Sequence, residues 1–192
     1  MDTVPGVALR VQWPETSRLV PEASRSVQVE VKDSAGFKTF RVANRPVVGG
    51  FSTVIFVGLS PGAVDYTATA FPQEDAQGVA VAAATGRVTL ATGQRTDVRL
   101  DLVSTIDRIE IAPSETTLAV GSTLRFVATA RDIDGDVVPT SAGKVQWSSS
   151  DTRVASVDTT GLVRGLVAGS TRIVFKDTES GRQESALVVV EP

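Results

Sequence analysis

Residues 144–169 read KVQWSSSDTRVASVDTTGLVRGLVAG. A short segment that bears Trp147 runs into a Ser/Asp turn. A Val-Ala-x-Val step follows, and then two apolar pieces that each end at a glycine. Short apolar segments closed by turn formers, without a helical period, are typical of β-strands. The stretch therefore predicts several short strands joined by tight turns.

The same pattern continues through the rest of the chain. Val27, Val29 and Val31 alternate with polar residues and end at the turn former Asp33-Ser34-Ala35-Gly36, so a hairpin is expected there. No segment has the period of an amphipathic helix, and we predict an all-β fold. The other strands predicted before residue 105 are 7–13, 37–42, 51–57, 64–71, 78–84 and 96–103.

From residue 105 to residue 192 the order of pieces is similar to an immunoglobulin-type β-sandwich, and it resembles the bacterial immunoglobulin-like domain of group 2, a module of extracellular adhesins and surface proteins. The resemblance implies a first strand split at Ala112-Pro113 and a core tryptophan at Trp147. It also implies that the following core side chains point inward: Ile109, Ile111, Phe126, Val154, Val157, Leu162, Val163, Ile173, Phe175, Leu187 and Val189.

The first half carries a second resemblance. The phrase VIFVGLSPGAVDYTATA, residues 54–70, is similar to prealbumin-like or immunoglobulin-like β-sandwiches of bacterial surface proteins. Pro61 and Gly62 suit a tight turn, and Leu59 is expected to pack beneath it. We therefore predict two tandem β-sandwich domains, residues 1–104 and 105–192. The boundary near Ser104 lacks Gly and Pro, which favours a direct, rod-like connection.

Composition excludes several classes of function. The 192 residues include neither Cys nor His, so no disulfide can form, no thiolate or imidazole is present to ligate zinc, and no His-dependent catalytic triad can be assembled. The formal charge of −3 gives no electrostatic case for nucleic acid. No apolar run is long enough to cross a bilayer. We expect a monomer with no cofactor.

One acidic cluster has two interpretations. Asp132, Asp134 and Asp136 flank Gly135 with the close spacing of carboxylates that suits calcium. However, the glycine comes too early for a calcium loop, and no Glu follows at the required distance. A hairpin tip stabilised by Asp explains the segment better. No spacing of other carboxylates singles out a catalytic pair, and we predict no catalytic residues.

Loops carry recognition in β-sandwiches, and strong interfaces centre on aromatic residues or Arg. The first domain supplies more of these anchors than the second, which we expect to act as a spacer. The candidate ligand contacts lie in or beside predicted turns: Trp13, Arg18, Phe37, Arg45 and Phe51.

The resemblance to the group 2 domain implies a non-catalytic structural or adhesive module of a bacterial cell-surface or secreted protein, with an unknown protein or glycan as its partner. An accessory glycan-binding region of an exported polysaccharide-processing protein is one alternative, and a phage virion decoration domain is another. The first residues show no signal segment. If the protein is exported, we expect this sequence to be a trimmed form of it.

Overall fold

The computed structural model describes residues 6–12, 21–46 and 50–192, and it divides the chain into two compact units, Met1–Thr105 (unit 1) and Ile106–Pro192 (unit 2). The described residues are mostly strands, and their helical segments are single 3₁₀ turns at Glu74–Ala76 and Ala142–Lys144. The prediction of an all-β fold is confirmed. No helix among these residues is long and apolar enough to span a bilayer.

Unit 1 is built from two sheets. Its strands are β1 (Gly6–Gln12), β2 (Ser26–Lys32), β3 (Lys38–Asn44), β4 (Phe51–Val57), β5 (Gly62–Phe71), β6 (Ala82–Leu90), β7 (Arg95–Arg99) and β8 (Val103–Ser104). One sheet has the order β4-β1-β7, with β1 antiparallel to β4 and parallel to β7. The other sheet has the order β3-β2-β5-β6-β8.

Alternation in the sequence sets the buried face of unit 1. Val27, Val29 and Val31 on β2 are at most 1% exposed, as the period-two pattern predicts. The predicted hairpin is confirmed, since β2 and β3 pair antiparallel and Lys32 lies opposite Lys38 at the turn. On β1 the inward side chains of Val7, Leu9 and Val11 are fully buried, and these rows form the core.

Two predicted strands of unit 1 have the wrong bounds. The strand expected at 78–84 begins at Ala82, where pairing with Ala70 starts, and extends to Leu90. Residues 79–84 are apolar at odd and at even positions alike, so no change from polar to alternating residues marks where the strand begins. The strand expected at 96–103 is two strands, because the chain leaves β1 after Arg99 and crosses to pair with β6, burying Leu100 and Leu102 on the way.

Unit 2 contains nine strands: β9 (Arg108–Ala112), β10 (Glu115–Ala119), β11 (Thr123–Arg125), β12 (Val127–Arg131), β13 (Val145–Ser149), β14 (Ala155–Val157), β15 (Leu162–Gly165), β16 (Gly169–Asp177) and β17 (Gln183–Glu191). They form the groups β10-β17-β16-β13, β11-β15-β14 and β12-β9. The first strand is split as predicted, since β9 pairs with β12 and β10 pairs in parallel with β17. The Ala112–Pro113 peptide, which is cis, lies between the two halves.

Several core predictions for unit 2 are wrong in detail. Leu162 alternates with the buried Val163 and is half-buried, as are Val154 and Val157. On β17 the buried side chains are Ala186, Val188 and Val190, whereas Leu187 and Val189 lie on the other face and are half-buried. The run from Ala186 to Val190 is apolar in both phases, so the sequence alone leaves its phase open.

Trp147 points toward the core and contacts Phe175 edge-on, with ring centroids 4.9 Å apart. It is only half-buried rather than central. The reason is its strand, because β13 is at the edge of its sheet and leaves one side of the indole uncovered.

Candidate functional site

The predicted contact residues are not gathered in one place. Trp13 and Arg18 lie outside the described residues. Phe37 precedes β3 and Arg45 follows it, so these two residues are about 26 Å apart along an extended strand. Phe51 opens β4 and pairs with Gln12 of β1. A small ligand therefore cannot contact both Phe37 and Arg45.

Arg45 has a structural role. Its Nη1 donates hydrogen bonds to the carbonyl oxygens of Glu22 at 2.9 Å and Ser24 at 3.5 Å. Its backbone N–H donates to the carbonyl of Arg25 at 2.7 Å. The guanidinium thus holds the segment that leads into β2.

Phe37 is 55% exposed, but its backbone belongs to the β2–β3 turn. Its N–H donates to Asp33 Oδ1 at 2.8 Å. The same carboxylate accepts from the N–H of Ala35 through Oδ1 at 3.0 Å and from the N–H of Ser60 through Oδ2 at 2.8 Å. These bonds, led by the one from Ser60, lower the pKa of Asp33 below its ordinary value. Asp33 therefore joins two turns of unit 1.

The turn at residues 58–62 packs as predicted. Leu59 is 3% exposed beneath it. Gly62 has φ +114°, and a Cβ there would lie 3.1 Å from the Ser34 Cβ, so the two turns approach closely. The Ser34 hydroxyl donates to the carbonyl of Pro61 at 2.7 Å. Hydrogen bonds thus join the β2–β3 turn to the turn at residues 58–62.

Phe51 differs from the other two candidates. Its ring is 55% exposed, and the Arg10 guanidinium carbon lies 3.7 Å from its centroid, which is a cation–π contact. Ile55 and Val57 project from the same face of β4 and are 42% and 56% exposed. Phe51, Ile55 and Val57 therefore form an exposed apolar row, called here the β4 row.

Sequence reasoning missed Ile55 and Val57 as surface residues. The segment FSTVIFV is apolar in both phases, with Val54 and Phe56 buried on the opposite side of the strand. A strand that carries apolar side chains on both faces signals either double burial or an exposed row, and only the pairing of β4 at the sheet edge separates the two. Phe40 and Val42 on β3 are also exposed, at 59% and 37%.

The acidic segment 132–136 is a hairpin tip. Asp132 Oδ1 accepts from the backbone N–H groups of Asp134 at 3.1 Å and Asp136 at 2.8 Å, and Gly135 has φ +92°. The first carboxylate of the calcium candidate is thus an acceptor for its own turn. No group of three or more acidic side chains in the described ranges is placed to hold a metal ion.

Other carboxylates of the described residues are held by arginine. Asp65 accepts from Arg87 on the neighbouring strand, Asp151 from Arg153, and Glu110 chiefly from Arg131. In each case the hydrogen bond from the guanidinium is the main cause that lowers the pKa of the carboxyl group. These groups stay ionised near neutral pH, and none is suited to donate a proton there.

Comparison with known proteins concerns mainly the second half. Residues 105–188 match the sequence model of the bacterial Ig-like domain (group 2). Ice-binding protein 1 of Shewanella frigidimarina (strain NCIMB 400) is 38% identical over 81 residues, which are 42% of this chain and 9% of that protein. The chain thus spans less than a tenth of this curated relative.

Among solved structures, domains 5-6 of the S-layer protein SbsC share 24% identity, covering 45% of this chain and 44% of that one with a TM-score of 0.39. The C-terminal 282-residue fragment of intimin, solved with the intimin-binding domain of its translocated receptor, shares 16% identity over 97% and 62% with a TM-score of 0.32. The sequence match therefore associates residues 105–188 with the bacterial Ig-like domains of group 2.

Proposed function

We propose that this chain is a non-catalytic structural or adhesive module of a bacterial cell-surface or secreted protein. The observation that carries the proposal is the match of residues 105–188 to the bacterial Ig-like domain, a module that the sequence resemblance associates with extracellular adhesins. The match to ice-binding protein 1 covers 9% of that protein, so it supports a shared module and not a shared ligand.

The contacts of the described carboxylates support the proposal that the chain is not a catalyst. Asp33 and Asp158 accept backbone N–H groups of their turns, and Asp65 and Asp151 pair with arginine. A carboxylate whose lone pairs are already used by fixed donors is poorly placed to act on a substrate. These four carboxylates therefore serve the fold.

The proposed partner is a protein rather than a glycan. The β4 row offers a single aromatic ring, Phe51, which already carries the Arg10 guanidinium on one face, and its other members are aliphatic. An apolar row bordered by arginine is a composition common in protein interfaces. The favoured role is thus attachment to, or spacing beside, another protein outside the cell.

Display of the full chain on a non-adherent bacterial strain tests this function. We expect retention on protein-coated surfaces, no retention on a glycan array, and no release of reducing ends from a panel of polysaccharides. Release of reducing ends by the purified chain would contradict the non-catalytic assignment. Retention on glycans alone would support the accessory glycan-binding alternative instead.

A further inference from the structure

The outer face of the β4-β1-β7 sheet presents an apolar row beside a strand of paired charges. On β7, Arg95 pairs with Asp97 at 3.3 Å, and Arg99 lies 3.6 Å from Asp101. These charges balance one another. The β4 row at the opposite edge of the sheet has no charge of its own, and Phe51 and Val57 are each more than half exposed.

Two guanidinium groups border the β4 row without a carboxylate partner among the residues that the structure describes. Arg10 lies on β1 and stacks on Phe51. Arg41 comes from β3 and donates through Nε to the carbonyl oxygen of Ile55 at 3.1 Å, with its guanidinium carbon 5.9 Å from the Phe56 ring centroid. The row is therefore flanked by positive charge on its β1 side and at its free edge.

The free edge of β4 is partly closed. The Ile55 carbonyl already accepts from Arg41, and the Ser52 hydroxyl donates to the carbonyl of Asn44 at 3.4 Å. A partner that added itself as a further strand would have to displace these contacts. The side chains of the row are 55%, 42% and 56% exposed, so a partner would contact them on the face of the sheet.

From this arrangement we propose that the β4 row, with Arg10 and Arg41, binds a protein segment in which aliphatic or aromatic side chains stand next to carboxylates. The apolar groups would cover Phe51, Ile55 and Val57, and the carboxylates would pair with the two guanidinium groups. This inference rests on the proposed adhesive function and names the surface and partner chemistry that serve it.

The size of the surface sets the expected strength. Stable complexes bury about 800 Å² on each partner, and three side chains with two guanidinium groups cover less. We therefore expect a dissociation constant in the micromolar range that weakens as salt is added, because exposed charge pairs are screened.

Short synthetic peptides in which Leu or Phe alternates with Glu provide the probe, and peptides with Lys in place of Glu are the matched control. Binding of the full chain is measured by isothermal titration or interferometry. We expect the Glu peptide to bind at least about tenfold more tightly than the Lys peptide. Equal binding of both peptides, or no binding of the Glu peptide, would overturn the proposal.

Substitutions locate the contact. Arg10→Glu and Phe51→Ser should each weaken Glu-peptide binding by about tenfold, a change of about 1.4 kcal/mol. Arg164→Glu makes the same charge change at an exposed position of β15, and Ile133→Ser removes an exposed apolar side chain of unit 2. These two controls should leave affinity within about twofold, since both residues belong to unit 2 and neither is part of the proposed surface. Circular dichroism verifies that each variant is folded.

Three further outcomes separate this inference from the proposed function or overturn its partner. If the displayed chain still adheres to protein while Arg10→Glu and Phe51→Ser change neither peptide binding nor adhesion, the inference is wrong and the adhesive function stands. If light scattering shows a concentration-dependent dimer that Ile55→Ser abolishes, the row serves a second copy of the chain and the proposed partner is wrong. If the peptides bind as expected but no surface retains the chain, the adhesive function fails while the surface assignment holds.

Discussion

The turn at residues 33–37 in unit 1 and the turn at residues 132–136 in unit 2 have the same local design but different consequences. In both, an aspartate Oδ1 accepts two backbone N–H groups of its own turn, and a glycine with positive φ allows the reversal. Asp33 is 5% exposed and also accepts from Ser60 across the unit. Among the described residues, the Asp132 carboxylate accepts no such distant backbone N–H, although the Asp132 carbonyl oxygen accepts from Arg108 Nη1 at 3.3 Å. The local pattern Asp-x-x-Gly thus forms the turn in both units. A long-range hydrogen bond to the carboxylate, as in Asp33, makes other parts of the unit depend on the aspartate as well.

A third turn of this kind should show the largest effect. Asp158 Oδ1 accepts from the N–H groups of Thr160 and Leu162, and Gly161 has φ +81°. A Cβ at Gly161 would lie 2.6 Å from the Phe126 carbonyl oxygen and 3.1 Å from the Trp147 ring. Gly161→Ala combines left-handed strain with overpacking and should lower the free energy of unfolding by about 3–4 kcal/mol.

Gly135→Ala is the matched control for that substitution. Gly135 has a similar φ of +92°, but the nearest atom to its Cβ is Arg108 Nη2 at 3.7 Å. Only the backbone strain remains, and a loss of about 1 kcal/mol is expected in the same urea titration. Equal losses for the two alanine variants would show that packing at Gly161 contributes nothing.

Asp33→Asn breaks the distant contact and spares the turn. The amide oxygen of Asn can still accept the N–H groups of Ala35 and Phe37, but its NH₂ group cannot accept the Ser60 N–H. A buried N–H would lose its acceptor, and the thermal midpoint of unit 1 should fall by a few degrees. Asp132→Asn should change the midpoint of unit 2 by less, because the Asn oxygen replaces the acceptor that Asp132 uses. A larger fall in the thermal midpoint for Asp132→Asn than for Asp33→Asn would contradict this expectation.

Acid should destabilise the chain through the same carboxylates. The pKa of Asp33 is lowered chiefly by the Ser60 N–H, and the pKa of Asp158 chiefly by the Thr160 hydroxyl. The unfolded chain therefore binds protons at higher pH than the folded chain does. The stability that these groups contribute is present above the ordinary aspartate pKa of about 3.9 and is lost as the pH falls through the lowered folded values. Denaturant midpoints measured from pH 6 to pH 2.5 should fall less steeply in Asp33→Asn than in wild type.

The sequence alone predicts the buried face of a strand where every second residue is polar, and it does not where both sets of alternate residues are apolar. On β2 the residues between the three valines are polar, so the buried face follows directly. On β17 and β4 both phases are apolar, and only pairing with a neighbour determines which side chains are covered. The Ser60 contact of Asp33 spans 27 residues and leaves no local signature. The sequence could therefore mark Phe51 as a candidate contact. The exposure of Ile55 and Val57 depends on strand pairing and could not be predicted from the sequence.

Two exposed isoleucines provide the most direct test of the claim that unit 1 contacts the partner. Ile55 of the β4 row is 42% exposed, and Ile133 at the tip of the 132–136 turn is 77% exposed. Retention of the displayed full chain on a protein-coated surface is measured under flow for Ile55→Ser and Ile133→Ser. The account predicts that Ile55→Ser lowers retention several-fold while Ile133→Ser, the more exposed position, leaves it unchanged. Loss of retention in Ile133→Ser with normal retention in Ile55→Ser would contradict it.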